Sequence, residues 1–428
     1  MYVTIDSTNY NKIKVDFAPA VDLTGNSLPA NEFIVRIQTD DTISAGQWVA
    51  LYDDVDTLWA KYWIVSAERL NDDFWEIRAQ SIIARLDRYQ RDVEVYQQEP
   101  VTNVLSTIFF GMPAGCYELD QSLQSETITG FCPQQSARER LLWVCFVLGA
   151  YIKDFFTDKI EIVPIGSTTS IIDAQDTYFR PSVTFIDYVT AITVRAYIYT
   201  QGEPEVTDDW ISDGASDPVY YIETTQDFTT YNSNAPAGAP ENEVRIDNVK
   251  IINTSNASQI LTRLSQYYFN RAQVNLGCIN NAVHHPGKRV YGYLTPGQMI
   301  AGYIESCTFG FGKQAKSDLV IVGVGGDIII DAVKITVKYM FGNITLNKQT
   351  YTFPKDYAYS IQNQYIDTQL NGHRYVFRPT HSTITGVATA DATLTESMIV
   401  ALDFYQNIMH IISVDDSTEP TAGEVEIE

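Results

Sequence analysis

Positive charge is the scarcest feature of this 428-residue chain: 29 Lys and Arg stand against 53 Asp and Glu, a formal net charge of −24. That deficit excludes a large non-specific DNA-binding surface, because phosphate binding needs clustered cations, and it disfavours docking onto anionic lipid. Long hydrophobic runs are also missing. The strongest, 141–148, is interrupted by Trp143 and Cys145 and is too short to span a bilayer. The opening MYVTIDSTNYNKIKVDF has no basic start followed by an apolar core, so it reads as carrying no signal peptide. Cysteine is sparse as well: Cys116, Cys132, Cys145, Cys278 and Cys307 make an odd count without a CxxC pair. They read as reduced, mostly packed thiols of a chain folded in a cytoplasm.

Motifs that carry chemistry are equally thin. His284-His285 is the only His pair; neighbours on a strand point to opposite faces, so one metal is poorly served. A loop before Pro286-Gly287 is the better reading. Gly323-Val324-Gly325-Gly326-Asp327 lacks the Gly-Lys-Ser/Thr needed to hold nucleotide phosphates and reads as an interdomain hinge. Gly310-Phe311-Gly312-Lys313 reads as a turn. No GxSxG occurs. The acidic pairs Asp53-Asp54, Asp72-Asp73 and Asp208-Asp209 fall in expected turns, where Asp is favoured for backbone reasons. We therefore assign no catalytic, metal-binding or cofactor-binding residue and expect a non-enzymatic protein.

What is abundant points to β structure. Hydrophobic residues make up 45% of the chain and aromatics 12%, led by 27 Tyr, a bias toward half-buried strands. Residues 1–88 contain short runs such as IVRIQT, QWVALYDD, AKYWIVSAERL and FWEIRAQSII, each closed by a turn, and predict a small barrel or sandwich with Val49, Leu51, Ile64 and Ile77 in its core. Residues 89–170 predict an α+β insert. Its first helix spans 101–110, and its second is opened by a capping box at Ser136-Ala137-Arg138-Glu139 and stopped at Gly149. A hairpin turning at Thr157-Asp158-Lys159 follows. Residues 171–325 predict a second barrel with one attached helix, 254–273, started by Thr254 or Ser255; the polar stretch 201–241 reads as a long loop. Residues 326–418 restart as a small β-rich domain, and 419–428 read as an acidic, flexible tail. The fold class is mainly β with an α+β insert.

The order of these pieces resembles baseplate hub proteins of phage tails and related contractile injection systems. The resemblance rests first on Ser136-Ala137-Arg138-Glu139 with Leu141, Leu142 and Gly149, then a strand pair ending IEIVPI. Further on come a helix ending in Tyr267-Tyr268 with Arg271, a Pro-Gly-x-x-Val strand (Pro286, Gly287, Val290), and a Gly302, Ile304, Ser306 strand. It covers roughly residues 1–325. Such a resemblance implies two tail-tube-like β-barrels per subunit and a homotrimeric ring that matches a hexameric tail tube above and a trimeric spike below. It implies self, tail tube protein, spike protein and other baseplate proteins as partners, leaves the tape-measure protein open, and places the chain in the virion tail baseplate, with DNA passing through the channel and no membrane insertion. Acidic charge lining such a channel would keep cargo from sticking. Residues 327–418 loosely resemble the mucin-binding-like, β-grasp repeats of bacterial surface proteins, through Gly372 and Tyr375 among others.

The expected subunit and partner contacts are strands 47–54 and 298–308 and the 254–273 helix, with Trp48, Val49, Leu51, Tyr267, Tyr268, Arg271, Met299, Ile300 and Tyr303 as the named residues. Two alternatives remain open. One is a tail-associated enzyme cleaving cell-wall polymer, using Asp327, Asp331, Asp367, His373 or His381. The other is a glycan-binding module.

Overall fold

A computed structural model describes residues 1–324 apart from 12–13, 26, 72, 168, 173–176, 178–180, 203–209, 213–218, 271, 296–297 and 312–315, and beyond 324 the backbone of strands alone; side chains at 171, 210, 292–300 and from 324 on lie outside the description. The chain divides into two compact units. One comprises Met1–Ile171, Ser182–Val290 and Gly302–Gly326, the other Ile172–Pro181, Tyr291–Ala301 and Asp327–Glu428.

The larger unit begins with seven strands: β1 (Tyr2–Ile5), β2 (Thr8–Tyr10), β3 (Lys14–Phe17), β4 (Glu32–Gln38), β5 (Trp48–Tyr52), β6 (Leu58–Asn71) and β7 (Phe74–Gln80). Alternation decides their faces: Phe33, Val35 and Ile37 of β4 and Trp75, Ile77 and Ala79 of β7 turn inward. A 3-10 helix, Ile82–Arg88, follows, with the Ser81 hydroxyl accepting from the Ile83 N–H. The α+β part then contains β8 (Gln90–Arg91), β9 (Glu94–Pro100), α1 (Val101–Ile108), β10 (Tyr117–Leu119), β11 (Thr127–Cys132), β12 (Gln135–Ser136), α2 (Ala137–Leu148), β13 (Ala150–Lys153) and β14 (Ile160–Pro164).

The capping box at Ser136 is present. The Ser136 hydroxyl accepts from the Glu139 N–H at 3.2 Å, and the Glu139 carboxylate accepts from the Ser136 N–H at 3.1 Å. Gly149 ends α2 in the left-handed region, at φ 65°. The hairpin expected around Thr157-Asp158-Lys159 is the antiparallel pair β13–β14.

The later strands are β15 (Thr169–Ile172), β16 (Ser182–Phe185), β17 (Ala191–Gly202), β18 (Trp210–Ser212), β19 (Tyr220–Tyr231) and β20 (Glu243–Ile246), then α3 (Ala257–Tyr268), β21 (Ala272–Ile279), β22 (Arg289–Thr295), β23 (Gln298–Gly310) and β24 (Lys316–Val324). Within the larger unit one hydrogen-bonded path runs β16-β21-β24-β23-β3-β4-β7-β6-β5-β1-β2. The two strand sets expected as barrels are thus joined, through Phe17↔Phe309 and Asp16↔Gly310. Aromatic packing secures that seam: the Phe17 ring lies 5.9 Å from Phe309 and 6.3 Å from Phe33, and Trp59 meets Phe309 edge-on at 4.8 Å.

Two local expectations are corrected. The stretch 201–241 is not one long loop, because β19 pairs with β17 from Ala191↔Tyr231 to Gly202↔Tyr220. Tyr220–Tyr231, YYIETTQDFTTY, is rich in β-branched and aromatic residues, and its strand preference is masked by the Pro, Gly and Asp on either side. The attached helix is also shorter than 254–273. Asn253 folds its side-chain oxygen onto the Ser255 and Asn256 N–H groups at 2.9 and 3.2 Å, which holds Thr254 and Ser255 in a turn ahead of α3. The core around α1 and α2 (Val104, Leu105, Leu141, Val144) is continuous with Ile192 and Leu264, so α3 and β17 pack with residues on the far side of the expected 170/171 boundary.

The other unit shows strand pairs β25 (Ile335–Met340) with β32 (Ala422–Ile427); β26 (Leu346–Thr352) with β31 (Ile408–Val414), itself paired to β30 (Met398–Asp403); and β27 (Ile366–Leu370), β28 (His373–Thr380), β29 (Thr383–Thr389) in sequence. Ala422–Ile427 lies in the stretch expected as a flexible tail. Its alternating GEVEI pattern is that of a strand, and it is one.

Candidate assembly surface

No group of three or more His, Cys, Asp or Glu could hold a metal among the described residues. His284 and His285 sit in the loop before Pro286 and are buried. His284 Nδ1 meets the Ser170 hydroxyl at 3.2 Å and His285 Nδ1 meets the Pro286 carbonyl at 2.9 Å. The His285 imidazole packs on Phe155 and Phe156, and burial pulls its pKa down to about 4, so it is neutral near pH 7. All five cysteines are free, four of them buried, and burial pushes the Cys132 and Cys145 thiols up to about 12. Of the C-terminal candidates, Asp367 lies opposite Val376 and His373 opposite Leu370. Asp327, Asp331 and His381 fall outside the described residues, as do Gly372 and the part beyond Val324 of the stretch expected as a hinge. Among the described residues no helix is long and apolar enough to cross a membrane, which says nothing of strands.

The expected contact residues divide sharply. Val49 and Leu51 are 0% exposed and belong to the core, as their alternation with half-exposed Trp48 and Tyr52 requires. Strand β5 is no edge, since β1 and β6 flank it. Tyr267 donates its hydroxyl to Glu305 at 2.8 Å, and that half-buried, carboxylate-facing environment raises its pKa. Tyr268 packs against the α+β core and meets Tyr267 edge-on at 5.2 Å. Tyr303 is half-buried and closes on Gly166, where a Cβ would stand 2.9 Å from the ring. Arg271 lies outside the described residues; Met299 and Ile300 lie on β23 with only their backbone described.

Trp48 alone of the strand-β5 residues named contributes to a larger surface array. It sits opposite Trp63, the rings meeting edge-on at 5.1 Å. The Arg85 guanidinium lies 3.7 Å from the Trp63 ring centre, and Lys61 Nζ lies 5.9 Å from that of Trp48. Beside this row a cavity of about 270 Å³ opens, lined by Trp48, Lys61, Ser81, Asp154, Gly115 and Lys159 among others. The true ends of the sheet path are β16 and β2. All four residues of β16 are exposed, Phe185 at 60%, and Ile186 just beyond it at 47%. Sequence reasoning missed β16 and Arg85. The signal for the latter was available in Arg85, Arg88 and Arg91, three cations spaced by three in an acidic chain.

No protein-family model matches this sequence, and neither does any curated protein. Structure finds what sequence does not. The fold is mainly β and is similar to that of a known protein: the tail protein from Neisseria meningitidis MC58 superposes with a TM-score of 0.53 at 10% identity, over 75% of this chain and 95% of that one. The 43 kDa tail protein of prophage MuSo2 from Shewanella oneidensis and the prophage tail protein gp18 from Listeria monocytogenes EGD-e give TM-scores of 0.49 and 0.48 at 10% identity, covering 75% and 74% of this chain and 97% and 93% of theirs. The chain shares the fold of the Neisseria tail protein.

Proposed function

We propose that this chain is a structural hub of the baseplate at the tip of a phage tail or tail-like particle. Three copies form a ring that adapts a six-fold tail tube to a three-fold spike. The observation that carries the reading is the fold shared with a tail protein over three quarters of this chain and nearly all of that one. The joined strand sets of the larger unit support it, because two strand sets per subunit would let three subunits present six around a rim. On this reading the partners are further copies of the chain, the tail tube protein, the spike and neighbouring baseplate proteins, and the work is geometric rather than catalytic. Wall charge of the sign carried here, −24 per copy, would repel passing nucleic acid.

The test is co-assembly. The full chain mixed with the tube and spike proteins of the same particle should form one complex with three copies of this chain, visible as a ring by negative-stain imaging. Failure to bind either partner would overturn the hub assignment.

A further inference from the structure

The cavity beside Trp48 lies within the larger unit, between β5, β6, the start of the 3-10 helix and the loops 113–116 and 154–159. Its lip is formed by exposed Pro113, Ala114 and Gly115, and a Cβ on Gly115 would meet nothing within 4 Å. Deeper in the lining stand Tyr62 and Asp154, 1% and 4% exposed. The Tyr62 hydroxyl and Asp154 Oδ2 are both buried without a hydrogen-bond partner among the described residues. A buried polar atom left unpaired is costly, and folds rarely keep one without a use for it. Two in the lining of one cavity point to a ligand that completes their bonding.

Volume and charge narrow the class of that ligand. The cavity, about 270 Å³, has room for about nine waters at about 30 Å³ each, or for one hexose-sized molecule. Lys61 lies 3.7 Å from Asp158, and Lys159 pairs with Glu118. Two lysines in the lining disfavour an amine or guanidinium, while Asp154 and Asp158 disfavour an anion. A neutral molecule with several closely spaced hydroxyls suits both kinds of group, since each hydroxyl donates and accepts. Half-exposed Trp48 adds an aromatic surface for the ligand's carbon skeleton. We propose that this cavity is a binding site for one neutral polyhydroxyl molecule of hexose size. One of its hydroxyls donates to Asp154 Oδ2, another exchanges a hydrogen bond with the Tyr62 hydroxyl, and Lys61 donates to a third. The site needs neither a ring nor a partner protein, so it stands apart from the hub reading.

The experiment is saturation-transfer difference NMR on the full chain. D-glucose, D-galactose and D-mannose are titrated separately into wild type, Asp154→Leu and Ala114→Trp. The lip variant alters an exposed position only and keeps the test decisive if Asp154→Leu fails to fold. At least one hexose should give a saturable signal with wild type, and each variant should weaken its binding by roughly tenfold or more. No signal from any of the three would overturn the site and leave a cavity filled by water. Binding unchanged in both variants would put the sugar elsewhere and overturn it equally. Displacement of the hexose by methylguanidinium or inorganic phosphate at lower concentration would overturn the neutral class.

Discussion

Asp154 is buried at the wall of the cavity beside Trp48, with Oδ1 accepting from Asn31 Nδ2 at 2.7 Å and Oδ2 meeting no partner among the described residues. Desolvation outweighs the hydrogen bonds from Ser81 and Asn31 and lifts its pKa to about 6. A raised carboxyl pKa means the folded state holds its proton more tightly than the unfolded one. Stability from this group is therefore present below the unfolded value near 4 and is lost as pH climbs through about 6. Asp154→Asn, which keeps the neutral acid's shape, should match wild type near pH 4 and exceed it above pH 7 by at most roughly 3 kcal/mol. His285 works in the opposite sense: its pKa is depressed to about 4, so its contribution is full above about 6.5 and lost as pH falls toward 4. His285→Phe should flatten that acid limb. Thermal melts from pH 4 to 8 read both effects, and curves parallel to wild type for both variants would contradict these two environments.

The α2 helix shows how much a single element owes to its two ends. Ser136→Ala removes one half of the capping box and should cost about 1 kcal/mol. At the other end a Cβ on Gly149 would stand 2.6 Å from Arg263 Nη1, and the backbone there is left-handed. Arg263 is half-buried, donating Nη2 to the Phe146 carbonyl at the helix C-terminus, where positive charge is favoured. Gly149→Ala should therefore cost more than the cap, roughly 2 kcal/mol or above, in denaturant titrations. Both ends of α2 were legible in the sequence because capping is local chemistry, written within four residues. Strand β19 was not, because its partner β17 lies across a polar excursion and a twelve-residue register leaves no local mark. The contact residues were legible only as aromatic or apolar strand positions. Alternation shows that Val49 and Trp48 face opposite ways, but deciding which strands are edges requires the sheet order. That order put β5 between two neighbours and β16 at the end. As an exposed edge β16 should exchange its amide hydrogens fast in the isolated chain and slowly in an assembly, if a neighbour covers it.

At the scale of the molecule, one long sheet path in the larger unit joins strands from both ends of the first 324 residues, and the three helices α1, α2 and α3 share a second core. No family model matches the chain's sequence, while its fold is shared with the Neisseria tail protein. As a hub the chain would close into a ring of three. The most direct measurement is the solution mass of the full chain by light scattering over a wide concentration range, with imaging of the same sample. The account predicts particles of three 48.2 kDa subunits with a central opening, favoured by concentration. A chain that stays monomeric throughout, with tube and spike proteins also present, would contradict it.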